Sequence, residues 1–92
     1  MEEEKKEEVK YELKTRTLYP GTVVDITTVT DEGSVTKKGK VKAILDISQK
    51  KYLVHIKNTE TKIQVYDIKE DGLQPPYQCI SGAYDKYGRT IE

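Results

Sequence analysis

The sequence predicts a mainly β-stranded domain, a small barrel or strongly bent antiparallel meander of five to six strands, on three observations. Trp and Phe are absent, so the core has to come from Val, Ile and Leu with some of the seven Tyr. These types, with the many Thr, favour strands over helices. Apolar residues recur with period two along most of the chain, and the runs are cut by turn signals at Pro20-Gly21, Asp31-Glu32-Gly33 and Asp71-Gly72.

Taken in order, Met1 to Glu8 is almost wholly Glu and Lys and buries nothing. Residues 1–9 are therefore expected as a disordered acidic tail, and 10–92 as one barrel-like domain with a Tyr-rich C-terminal extension. From Tyr11 the pattern alternates: Tyr11, Leu13, Thr15, Thr17 and Tyr19 share one face, expected inward, with Glu12, Lys14 and Arg16 on the other. Thr22 to Thr30 supplies a β-branched second run, followed by a polar loop. Pro75-Pro76 excludes helix and central strand, Tyr77 to Ile80 is long enough for one more short strand, and the AYDKYGRTIE tail follows.

The middle of the chain allows a register to be written down. A two-residue loop at Gln49-Lys50 pairs Ser48 with Lys51, Asp46 with Leu53, Ile44 with His55 and Lys42 with Lys57. A second turn at Thr59-Glu60 pairs Ile63 with Ile56 and Val65 with Val54. The expected core is then Val24, Ile26, Val41, Ala43, Leu45, Tyr52, Val54, Ile56, Ile63 and Val65.

Lys plus Arg (16) balances Asp plus Glu (16), so no overall field draws the chain to nucleic acid or membrane and any such attraction has to be local. The lone Cys79 forms no internal disulfide, and the charged amino terminus lacks a signal-peptide pattern, so a cytoplasmic address is expected. No apolar segment is long enough to span a bilayer as a helix.

Pro20 to Ile26, Gly39 to Asp46, Lys51 to Ile56 and Lys62 to Pro75 together resemble the small SH3-like barrels, the group that includes Tudor, chromo-barrel and KOW-type domains. The resemblance implies binding of peptides, modified side chains or nucleic acid rather than catalysis. A Tudor-type reader presents several aromatics as a cage, and here only tyrosines are available for one.

The expected outward face of the three-strand meander carries Ile44, Leu53, Tyr66 and Ile68 beside Lys40, Lys42, Lys51, His55, Lys57 and Lys62. A contiguous apolar patch ringed by cations marks an interface unless the protein's own termini cover it. Protein partner binding through Lys40, Lys42, Ile44, Leu53, His55, Lys57, Lys62 and Tyr66 is the first functional expectation. The alternative is nucleic-acid binding by the basic hairpin Lys37 to Lys57, in which Asp46 is the only acid. Catalysis is the distant third. His55 and Cys79 have no partner at a metal-ligand or nucleophile spacing, and no phosphate-binding glycine loop is present, so no catalytic residue, metal or cofactor is expected.

Overall fold

In the computed structural model, which describes residues 12–69 and 73–92, the alternating runs form five strands. They are β1 (Val23–Thr30), β2 (Gly33–Asp46), β3 (Lys51–Ile56), β4 (Lys62–Tyr66) and β5 (Tyr77–Tyr84). The ring closes in the order β1-β2-β3-β4-β5, antiparallel except where Tyr66 of β4 meets Cys79 of β5 in parallel. No helix occurs among the described residues. The expected acidic tail, Tyr11 and the Asp71-Gly72 stop lie outside them.

Period two places every second side chain inside the ring. Val24, Ile26, Val41, Tyr52, Val54, Ile56 and Val65 are buried as the alternation requires, and Ile63 packs against them. Tyr52 is a core residue with a satisfied hydroxyl, which accepts a hydrogen bond from the Leu18 backbone N–H at 3.1 Å. Leu18, Ile80 and Ala83 complete the buried cluster, with Ile91 packed at its margin.

The β2–β3 register differs from the expected one. Asp46 faces Lys51, Ile44 faces Tyr52, Ala43 faces Leu53 and Lys40 faces His55. Two causes act together. Asp46 Oδ1 accepts hydrogen bonds from Ser48 N, Ser48 Oγ and Gln49 N, which builds an Asx-type turn and lengthens the loop to residues 47–50. Bulges then insert Lys42 and Leu45 as extra residues, and each flips the parity beyond it. Ile44 therefore turns into the core, while Leu45, expected inside, is 43% exposed.

In the β3–β4 hairpin the pairing slides by two residues, so that Val54 faces Ile63 and Tyr52 faces Val65. The Ile56 N–H donates to the Thr61 carbonyl, and the connection is residues 57–60 rather than a two-residue turn. A slide of two preserves parity, which is why the inward set of β3 and β4 is unchanged.

Three further expectations are corrected. The segment before β1 is not a continuous strand: its described residues form one isolated bridge, Leu13 to Ile68, beside single contacts such as Gly21 N–H to the Val41 carbonyl, and its parity is inverted, with Leu18 fully buried and Tyr19 64% exposed. Arg16 goes inward because Asp67, which is fully buried, receives it (Nε to Oδ2 and Nη2 to Oδ1, both 2.8 Å). The polar loop before Gly39 is instead the first part of β2, paired with β1 as far as Thr30 and Gly33. β5 does not end at Ile80; it continues through a bulge to Tyr84 and pairs along β1.

Candidate binding face

The outer face of β2 and β3 collects the lysines. Even-numbered residues of β2 up to the first bulge point outward, so Lys38 and Lys40 stand in a row beside Lys57 and His55 at the end of β3, with Lys62 of β4 facing His55. Lys38, Lys40, Lys42, His55, Lys57 and Asn58, with Val23 and Gly39, line an open cleft of about 450 Å³. At Gly39 the two strands approach so closely that a Cβ would lie 2.7 Å from Val54 Cγ1 and 2.8 Å from the His55 carbonyl oxygen. Glycine is required there by sterics.

Asp25 of β1 is the acid at the edge of this face. Lys38 Nζ donates to its Oδ1 at 3.0 Å and the Tyr84 hydroxyl donates to its Oδ2 at 2.7 Å, while Lys38 Nζ also sits 5.0 Å from the centre of the Tyr84 ring. Partial burial raises the Asp25 carboxyl, but the hydrogen bonds from Tyr84 and Lys38 outweigh it and hold the group below its ordinary value. The same contact raises the Lys38 ammonium and the Tyr84 phenol. Lys38 is thus neutralised. Among the described residues Lys40, Lys42, Lys57 and Lys62 enter no ion pair.

The apolar half of the expected patch divides. Ile44 packs into the core and Ile68, 5% exposed, is bridged by Leu13, so neither is presented. Leu53 stays outward and half-buried, opposite Ala43, and Tyr66 is 39% exposed with Lys51 Nζ 5.7 Å from its ring centre. Of the eight expected site residues, the fold brings Lys40, Lys42, His55, Lys57 and Lys62 together, leaves Leu53 next to His55 on the outer face of β3, sets Tyr66 apart from them at the end of β4 opposite Lys51, and removes Ile44. No protein family model, curated protein or solved structure matches the chain.

His55 Nε2 lies within hydrogen-bond distance of the Thr59 carbonyl, so the ring is held against the 57–60 loop. Cys79 is fully buried in β5. The tyrosines go separate ways: Tyr52 into the core, Tyr84 onto Asp25, Tyr66 under Lys51, and Tyr87 to the C-terminal turn beside Lys86 and Arg89. Sequence reasoning missed Asp25 and Tyr84 as members of the face. They are 59 residues apart and meet only because β5 closes the ring onto β1.

Proposed function

We propose that this chain is a non-catalytic SH3-like barrel that binds single-stranded nucleic acid across the outer face of β2 and β3. The order of the ring, with a β2-β3-β4 meander and β1 seated between β2 and β5, supports the barrel assignment. The observation that carries the function is the set of four lysines, Lys40, Lys42, Lys57 and Lys62, gathered on one face with no carboxylate partner among the described residues. Clustered cations repel one another, and a phosphate backbone relieves that repulsion while releasing its own counterions. Leu53 lies next to His55 on the outer face of β3, and Tyr66, opposite Lys51, continues that face to the end of β4, an exposed ring on which an unpaired base can stack, which favours a single strand over a duplex.

The competing reading, a protein partner docked on Leu53 and Tyr66, is weaker because Ile44 and Ile68 do not contribute area to the patch. Salt separates the two. Binding of a labelled single-stranded oligonucleotide, followed by fluorescence anisotropy, should weaken linearly on a log–log plot with a slope of about −3 for four phosphate contacts. Lys40→Glu with Lys42→Glu should flatten that slope and weaken binding to every sequence alike. A slope near zero, or binding indifferent to the charge reversal, would reject nucleic acid as the ligand.

A further inference from the structure

The β1–β2 hairpin extends beyond the end of β3, and this leaves part of β2 with a partner on one side only. β3 covers β2 as far as Gly39, and the last contact on that edge is the Lys57 N–H donating to the Lys38 carbonyl. Lys38 therefore directs its carbonyl to the β3 side. By alternation, Thr36 and Ser34 direct their N–H and C=O groups to the same side, where no strand among the described residues pairs with them. Gly33 to Lys38 are all exposed. Exposed strand edges are commonly protected by charged side chains, bulges or Pro; here the charges, Lys37 and Lys38, stand at one end of the stretch, and Ser34 to Thr36 has none of the three.

We infer that this edge pairs with the same edge of a second copy of the chain, across a twofold axis. Only one antiparallel register lets both free residues of both chains exchange their hydrogen bonds, the one that sets Ser34 opposite Thr36 of the second copy. That register places Val35 opposite its own counterpart as a non-hydrogen-bonded pair, the closest kind of side-chain approach in a sheet. Val35 is a 57% exposed apolar residue with no obvious role in the monomer, and pairing buries it. The Ser34 and Thr36 side chains meet on the other face, a favourable hydroxyl pair.

Charge complementarity selects a second copy over an unrelated strand. In that register the hairpin tip, Asp31-Glu32, of one copy comes up against Lys37 and Lys57 of the other. The end of β3 blocks any longer pairing, so each chain contributes about four residues, well below the area of a permanent dimer. Association is consequently reversible and concentration-dependent. The basic face at Lys40, Lys42 and Lys62 remains open in both copies.

Sedimentation equilibrium of the full chain over a wide concentration range tests this. The average mass should rise from 10.6 kDa toward twice that value, with the amide signals of Ser34 and Thr36 moving along the same isotherm. Val35→Asp places two carboxylates in contact and should hold the mass at 10.6 kDa at every concentration, with an unchanged far-UV spectrum. Glu32→Lys, at the exposed tip, should do the same if Val35→Asp does not fold, and mixing it with Lys57→Glu should restore a heterodimer. A mass that stays at 10.6 kDa for the natural chain into the millimolar range, or a dimer that survives both Val35→Asp and Glu32→Lys, overturns the inference.

Discussion

Asp67 is a charged side chain with no exposure, and Arg16 meets it with two parallel hydrogen bonds while donating a third, at 2.6 Å, to the Ile91 carbonyl. One guanidinium thus ties the segment before β1, the end of β4 and the C-terminus into a single cluster. Removing it leaves a carboxylate in the barrel with, among the described residues, Lys14 Nζ at 3.9 Å as its remaining ion-pair partner. Arg16→Ala should therefore cost about 3–5 kcal/mol, the usual penalty for breaking a buried pair, read as a fall in urea midpoint with little change in slope. Asp25 gives a pH prediction of definite sign. Its folded pKa lies below its ordinary 3.8, so its contribution is complete above the unfolded value and is lost as pH falls through the folded one. Asp46, held down first by the Ser48 hydroxyl, and Asp85, held down first by the Arg89 backbone N–H, act in the same direction. Thermal melts should therefore fall as pH drops below about 4, and Asp25→Asn should make that fall shallower. Ile44 and Leu45 mark where residue-level reading of the sequence stops. Alternation assigns them to the wrong sides because the bulge at Lys42 flips the parity ahead of Ile44 and Leu45 is itself the residue inserted by the second bulge, and nothing in the local composition announces a bulge at either place.

At the scale of the element, β3 and β4 were fully legible in facing though not in pairing. Tyr52, Val54, Ile56 and Val65 are inside because side-chain parity survives a slide of two residues, whereas hairpin register depends on loop length, and the Asp46 turn and the 57–60 loop are both longer than two. β2 is the element on which the face depends. Its close approach to β3 at Gly39 brings Lys40 beside His55, and Gly39→Ala forces a methyl into Val54 and the His55 carbonyl. That substitution should cost about 1–3 kcal/mol as an overpacking change, checked by calorimetry, and should weaken oligonucleotide binding by displacing the lysine row. The first half of β2 was illegible. Ser34 to Lys38 is polar apart from Val35, and it is a strand because Val23 to Thr30 supplies a partner on one side, not because it buries anything.

For the whole molecule, an equal count of acids and bases hides an uneven arrangement. The acids Asp25, Asp67 and Asp85 are engaged by Lys38, Arg16 and Arg89, while Lys40, Lys42, Lys57 and Lys62 are left on one face. The sequence shows that lysines crowd Lys37 to Lys57, and it cannot show which acids are already spent, since Arg16 and Asp67 are separated by 51 residues. Leu53→Glu tests the margin of the face: as a half-buried outward residue it should tolerate the charge with a shift in melting temperature of only a few degrees, about 1 kcal/mol for a domain of this size, yet bind the oligonucleotide several-fold more weakly. The most direct test of the basic face is an amide chemical-shift titration of the natural chain with a short single-stranded oligonucleotide at low salt. The expected result is a contiguous set of shifts at Lys40, Lys42, His55, Lys57 and Lys62 that spares Leu18, Ile80 and the C-terminal turn. Shifts centred on β5, or none at saturating oligonucleotide, would contradict it.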